Sequence, residues 1–395
     1  MTRVVVAPDK FKGSADAATI ASAIVAGLRD VWGDAATYAV VPMADGGDGT
    51  VEAFLATGAT ARTVRVRGPL GAPVDAIYAR DGETAIIEMA AASGLALLGG
   101  ARDATGASTY GTGELIRDAL AAGAKRIVLG IGGSATTDGG AGALAALGIR
   151  FINAAGAVLE PLPRALNELA AVDASGLDSR LAATSIAIAC DVDNPLLGPS
   201  GAAAIYGPQK GAGPSDVAFL DGVLARFAGV AVADGRADLR ELPGAGAAGG
   251  LGWGLATFAG ARLAPGFALI ADQRGLRSAL ADATLCITGE GRIDEQTLRG
   301  KVVAGIAALA RPLGIPVIAL GGSVEAACER ELAARGVVCL PIAGGPSTLA
   351  EAMARAPELT RAAAARFARI ALLDAGPGTR RANAGPFSRD HPIQS

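Results

Sequence analysis

Short unbroken apolar runs recur along this chain, and each one runs directly into a cluster of glycine, acidic and basic residues. VVVAP at 4–8 leads into Asp9-Lys10-Phe11-Lys12-Gly13-Ser14. The run ending at Met43 leads into Ala44-Asp45-Gly46-Gly47-Asp48-Gly49-Thr50. IVLGI at 127–131 leads into GGSATTDGG at 132–140, SIAIAC at 185–190 into Asp191-Val192-Asp193-Asn194, and LCIT at 285–288 into Gly289-Glu290-Gly291-Arg292-Ile293-Asp294. An unbroken apolar run reads as a parallel strand buried on both faces. Ligands of open α/β sheets bind outside the carboxyl ends of such strands. Five strand ends loaded in this way predict an active-site rim.

Between the runs the apolar period changes. Ile20, Ile24 and Leu28 repeat at i+4, which predicts a helix closed by Gly33. Ser14 is the expected N-cap, with Asp16 in the first turn. A strand at 37–42 and a short helix through Val51, Phe54 and Leu55 follow. Near residue 63 the texture becomes alternating, with turn signals at Pro69-Leu70-Gly71 and Asp81-Gly82, which predicts antiparallel hairpins. A helix is expected at 113–122, opened by Thr112 and closed by Gly123, and then a strand at 126–131. From about 283 the strand–helix alternation returns, with a helix from about Lys301 stopped by Pro312 and Gly314, and strands at 315–320 and 336–342.

The expected fold class is α/β with two domains. Residues 1–63 and 281–375 are expected to form a parallel-sheet domain. Residues 64–280 form an inserted α/β domain with a mixed sheet, and the cleft between the domains is the expected place for catalysis. Residues 376–395, polar and proline-containing, read as a flexible tail.

Composition narrows the chemistry. Hydrophobic residues make up 51% of the chain but aromatic ones only 4%, which suits close-packed helices on a sheet. A net charge of -3 gives no footprint for nucleic acid, and no basic run points to an anionic membrane. The opening apolar stretch is too short for a signal peptide. The uncharged segment 242–261 carries seven glycines and reads as a glycine-rich loop leading into a short buried helix, not a span. A cytoplasmic location is expected. Cys190, Cys286, Cys328 and Cys339 form no CxxC pair, so neither zinc nor a disulfide framework is expected. The single histidine, His391, lies in the terminal tail. Histidine-dependent nucleophiles are thereby excluded, and acid–base chemistry falls to Asp, Glu or Lys.

The individual motifs carry different weight. No Walker A sequence is present: neither Gly207-Pro208-Gln209-Lys210-Gly211 nor Arg299-Gly300-Lys301-Val302 fits it. Gly130-Ile131-Gly132-Gly133-Ser134-Ala135 matches a loose dinucleotide fingerprint after a strand. The next strand, at 148–153, ends in Phe151-Ile152-Asn153 and supplies no acid for a ribose. A tight strand-to-helix turn and a loop offering N–H groups to phosphate both fit.

Lys10 and Lys12 beside a helix start make an anion site, although two solvated lysines would look the same. Asp191 and Asp193 suit Mg²⁺, which takes a few carboxylates plus phosphate and water. They also resemble the DxD of haloacid-dehalogenase-like phosphatases, without that group's later acidic pair, and an Asx-type turn before Pro195 would account for one of them. Asp45 with Asp48, and Glu290 with Arg292 and Asp294, complete the set.

Taken together, APDKFKGS, ADGGDGT, GIGGSATTDGG, ACDVDNPLLG with YGPQKGA, PGAGAAGGLGWG and TGEGRIDEQTLRGK make a chain that resembles bacterial glycerate kinases of class I, in the family's order from residue 7 to about 322. The resemblance implies phosphorylation of D-glycerate by ATP with Mg²⁺, giving 2- or 3-phosphoglycerate, and two α/β domains, the 1–63 plus 281–375 domain Rossmann-like and the other inserted. On that basis Lys10, Lys12 and Arg292 would hold the glycerate carboxylate and the migrating phosphoryl group. Asp9, Ser14, Asp45, Asp48, Glu290 and Asp294 would contact substrate. Gly132, Gly133, Ser134 and Ala135 would line the ATP phosphates. Asp191 and Asp193 would hold Mg²⁺, or one of them would accept the hydroxyl proton. A DxD-type phosphatase and a non-catalytic sugar-acid-binding protein are the competing readings. The five clusters are expected to divide into two half-sites completed by domain closure.

Overall fold

The computed structural model describes residues 2–374; the expected tail at 376–395, with His391, lies outside them. The strands are β1 Thr2–Val6, β2 Ala36–Val40, β3 Thr60–Arg67, β4 Pro73–Asp81, β5 Thr84–Glu88, β6 Arg126–Gly130 and β7 Arg150–Asn153. They continue as β8 Leu169–Asp173, β9 Ser185–Ala189, β10 Arg262–Ala264, β11 Leu285–Ile293, β12 Val317–Val324 and β13 Val337–Pro341. The chain forms two compact α/β units. One runs to Asp45 and resumes at Phe267; the other is Gly46–Gly266.

The first unit is built on a five-stranded sheet in the order β13-β12-β11-β1-β2, parallel throughout. Val4, Val5 and Val6 are fully buried, as a strand covered on both faces requires. Helix Ala17–Trp32 covers one face with Ile20, Ile24 and Leu28, all fully buried. Helix Ala356–Asp374 packs on that helix so closely that a Cβ on Gly27 would lie 2.1 Å from the Arg361 carbonyl oxygen. Trp32 Nε1 donates to the Ala368 carbonyl at 3.1 Å. The N-terminal segment and the helix Ala356–Asp374 thus share one core.

The N-cap of the first helix is Asp16, whose side chain accepts from the Thr19 N–H at 2.6 Å, and not Ser14. Residues 11–15 close a tight turn of their own, with the Phe11 N–H donating to Ala15 O and the Ser14 N–H to Phe11 O, so the helix starts later. The helix expected at 113–122 runs Tyr110–Ala121; Thr112 is buried inside it against Ser93.

The second unit carries a six-stranded mixed sheet, β10-β9-β6-β5-β4-β3. β10, β9, β6 and β5 are parallel, and β4 and β3 continue as antiparallel hairpins at the turns the sequence marked. β7 and β8 form a separate antiparallel pair, so the strand following the glycine loop does not extend the parallel sheet. The unit begins at Gly46, ahead of the hairpins, because helix Thr50–Leu55 belongs to the mixed sheet: its Val51 N–H donates to Glu88 Oε1 at 2.8 Å. The 45–50 cluster is therefore divided after Asp45. Segment 242–261 forms a glycine-rich turn and the buried helix Leu251–Ala259. No helix among the described residues is long and apolar enough to cross a membrane. The four cysteines are free thiols.

Candidate functional site

In the first unit the carboxyl ends of β1, β2 and β11 bring three carboxylates together. The backbone ladder continues past β1 and β2, where the Asp9 N–H donates to Gly289 O and the Met43 N–H to Pro8 O, both at 2.8 Å, whereas β11 itself runs on through Glu290 and Arg292 to Ile293, so most of the 289–294 cluster is strand and not loop. Asp9 and Glu290 are buried, at 8% and 7% exposure, and Asp45 is half-buried. Burial pushes the Asp9 carboxyl up to about 7, reinforced by Asp45 and opposed by the Lys10 N–H, which donates to Asp9 Oδ1 at 2.7 Å. Burial pushes Glu290 up to about 7 as well, opposed by the Thr297 hydroxyl that donates to Glu290 Oε1 and by the charge of Lys301. Lys301 Nζ lies 3.9 Å from Asp45 Oδ2.

The other predicted residues of this unit sit around that cluster in different states. Lys10 is half-buried and Lys12 exposed. Gly291 keeps the loop close, since a Cβ there would lie 3.2 Å from the Lys12 nitrogen. Ser14 is half-buried in the 11–15 turn. Arg292 is exposed and paired with Glu325 and with Asp294, the latter at 3.3 Å.

In the second unit the loop after β6 turns outward at Gly132 and Gly133, both exposed. Gly133 has φ +71, a conformation that favours glycine. A Cβ on Gly133 would lie 3.4 Å from Asp48 Oδ1, and one on Gly132 would lie 3.5 Å from Gly47 Cα. The ADGGDGT segment and the glycine loop are thus neighbours. Ser134 and Ala135 turn inward: both are buried, and the Ala135 N–H donates to Ser93 O at 2.9 Å.

Asp138 anchors the end of this loop. Its Oδ2 accepts from the Thr109 N–H, the Thr109 hydroxyl and the Gly142 N–H, and its Oδ1 from the Gly140 N–H. Burial raises its pKa, and these hydrogen bonds oppose the rise.

At the end of β9, Asp191 and Asp193 are both exposed, and Asp191 Oδ1 accepts from the Gly266 N–H at 2.8 Å. Among the described residues no group of three or more His, Cys, Asp or Glu side chains is arranged to hold a metal ion. Mg²⁺ needs no such cage, because it binds through one or two carboxylates together with substrate phosphates. The Asp191–Asp193 donor set fits that demand.

Sequence reasoning did not single out Lys301, Thr297, Lys210, Tyr206 or Asn194. The lysines stand in Arg299-Gly300-Lys301 and Gln209-Lys210-Gly211, which fail as Walker A and fall within the family motifs TGEGRIDEQTLRGK and YGPQKGA without a role of their own. Lys210 is 1% exposed, and its Nζ donates to the Thr136 carbonyl at 2.6 Å. Burial drives its pKa down to about 7, while Asp138 pulls the other way.

The model of the glycerate kinase family matches residues 4–372. A glycerate kinase of Bacillus subtilis (strain 168) is 47% identical over 82% of this chain and 85% of that protein. The glycerate 2-kinase of Escherichia coli (strain K12) is also 47% identical, over the same shares of the two chains. A crystal structure of a candidate glycerate kinase 2 from Salmonella typhimurium LT2 matches with a TM-score of 0.86 and 46% identity, covering 95% of this chain and 99% of that one. These matches define an enzyme of the kinase class. The chain belongs to the glycerate kinase family.

Proposed function

We propose that this protein transfers the γ-phosphoryl group of ATP to D-glycerate. The observation that carries the reading is the 47% identity to named glycerate kinases across 82% of the chain. The 2-hydroxyl is the proposed acceptor, as the name of the Escherichia coli relative favours.

In this reading the rim of the first unit takes glycerate. Lys10, Lys12 and Arg292 offer positive charge to its carboxylate and to the incoming phosphoryl group, and Ser14, Asp45 and Asp294 offer polar contacts. Asp9 and Glu290, both raised to about 7, are matched to accepting a hydroxyl proton near neutral pH. The glycerate oxygen forms a bond to the γ-phosphorus, the bond from that phosphorus to the β,γ-bridging oxygen breaks, and ADP leaves while a carboxylate keeps the proton. This role is proposed in place of the alternative that the resemblance leaves open, in which one of Asp191 and Asp193 accepts the hydroxyl proton, and it leaves both of those carboxylates for Mg²⁺.

The glycine loop of the second unit takes the ATP phosphates, with the exposed Gly132 and Gly133 leaving their backbone open to approach and the buried Ser134 and Ala135 fixing the loop behind them. Asp48, whose Oδ1 lies close to Gly133, offers a polar contact at that edge. Asp191 and Asp193 would hold Mg²⁺, which neutralises phosphate charge when bound.

A coupled assay of ADP release with D-glycerate tests the activity, and phosphorus NMR of the product tests the position. D-glycerate-dependent ADP release with a 2-phospho product is the expected result. Phosphate release from phosphoglycerate without nucleotide would instead support the phosphatase reading, and glycerate binding without turnover the binding-protein reading.

A further inference from the structure

The least expected group in the second unit is a buried lysine. Lys210 ends the short helical turn Pro208–Lys210 and is 1% exposed. A buried ammonium is costly unless it is paired, so a lysine in such a place is defined by its connections to its partners.

Those connections run to two loops. Toward the first, Nζ donates to the carbonyl of Thr136 at 2.6 Å, four positions beyond Gly132 in the same loop. Asp138, two residues further on, faces it electrostatically. Toward the second, Nζ lies 6.0 Å from the centre of the Tyr206 ring, within cation–π range. The Tyr206 hydroxyl donates to Asn194 Oδ1 at 2.6 Å, and Asn194 directly follows Asp193. Asn194 is itself fixed: its Nδ2 donates to Ser200 O at 2.8 Å, and its carbonyl accepts from the Gly246 N–H at 3.0 Å. The path from the glycine loop to the acidic loop thus passes through one ammonium, one ring and one amide.

We propose that Lys210 is a positioning residue that sets the glycine loop after β6 and the Asp191–Asp193 loop after β9 in register with one another. The proposal rests on the reading that these two loops serve the nucleotide. Lys210 touches no substrate in this account. It fixes the carbonyl side of one loop and, through Tyr206 and Asn194, the chain just beyond the acids of the other. Its effect belongs to ATP, not to glycerate.

The test compares the full-length protein with Lys210→Met, Tyr206→Phe, the double variant and Gly132→Ala, measuring the melting temperature and the kinetic constants for ATP and for glycerate. Lys210→Met is expected to fold but to melt lower than wild type, since the Thr136 carbonyl and the buried Asp138 lose their partner, and to lose about tenfold to a hundredfold in kcat/KM for ATP, the scale of small misplacement. The KM for glycerate should stay within about twofold, because that substrate's binding is left alone. Tyr206→Phe should move the same constant in the same direction, and the double variant should be no worse than Lys210→Met, as members of one path are not additive.

Folded Lys210→Met with wild-type ATP constants overturns the proposal, as does an equal loss for both substrates or full additivity with Tyr206→Phe. If Lys210→Met does not fold, Tyr206→Phe decides, and unchanged ATP constants there overturn it. Gly132→Ala separates the two levels of the argument, since its added methyl meets only ordinary contact at 3.5 Å. Unchanged ATP constants in Gly132→Ala sink the cradle reading. A raised KM for ATP there, with Lys210→Met unaffected, sinks the Lys210 proposal alone.

Discussion

The backbone N–H of Asp9 donates to the carbonyl of Gly289 at 2.8 Å, one residue before Glu290. This single bond extends the pairing of β1 with β11 beyond Val6 and seats two carboxyl side chains, far apart in the sequence, beside each other. Both are buried, and each is held near neutrality in its proton affinity.

That arrangement costs stability in a pH-dependent way. For Asp9 the folded value, about 7, exceeds the unfolded value, 3.8. Its contribution is therefore fully present below pH 3.8 and is lost as pH rises through about 7. Asp9→Asn keeps the acceptor for the Lys10 N–H and removes the titration. It is expected to unfold at higher temperature than wild type at pH 8, by on the order of 1–3 kcal/mol, with the gain shrinking toward pH 4. Thermal unfolding across that range measures it. Activity should fall by about two to four orders of magnitude if Asp9 accepts the hydroxyl proton.

Lys301 tunes the second carboxyl. Its charge lowers the Glu290 pKa against the rise from burial. Removing it in Lys301→Met lets Glu290 climb further above its ordinary range. Since a base must be deprotonated to act, the acidic limb of kcat/KM should move to higher pH in this variant. A pH–rate profile checks it, and a limb that stays in place assigns that limb to another group.

Asp191→Asn separates charge from shape at the β9 end. The amide oxygen can still accept from the Gly266 N–H, so the fold should be kept. If Asp191 and Asp193 hold Mg²⁺ as proposed, the kcat should fall about a hundredfold, and more Mg²⁺ should be needed for half-maximal rate, because one of two hard anionic ligands is lost. Rates measured against Mg²⁺ concentration decide this, and full activity with an unchanged Mg²⁺ curve would end the metal role given to Asp191.

Gly46 tests how tightly the second unit is assembled around its loops. It has φ +85, and a Cβ there would lie 2.3 Å from Ala189 Cβ, at the end of β9. Gly46→Ala must strain the backbone and displace that strand end. It is expected to lose about 2–4 kcal/mol, by overpacking and the unfavourable φ together. Urea unfolding should show the loss as a lower midpoint with the slope unchanged.

The sequence by itself determined the central buried strands, while the short β8 and β10 and the extension of β11 to Ile293 were not legible in it. VVVAP, IVLGI, SIAIAC and LCIT are local signals, because burial on both faces of a parallel sheet demands consecutive apolar residues whatever the partner strand. The antiparallel hairpins were legible for the same kind of reason, from alternation and turn residues. The combined motifs also carried the family. The cap of the first helix was misread because the tight Phe11–Ala15 turn depends on pairing that the Ser14 side chain does not reveal.

Only the tertiary structure decided which groups meet and which charges are buried. It divided the 45–50 segment, setting Asp45 near Lys301 and Asp48 beside Gly133. It carried Lys210 to the Thr136 carbonyl, 74 positions away, and folded Ser134 and Ala135 inward while leaving Gly132 and Gly133 exposed. The physical reason is that burial and Coulomb interaction act through space. A residue's type fixes which proton or charge it can carry, and its neighbours across the fold fix whether it carries it.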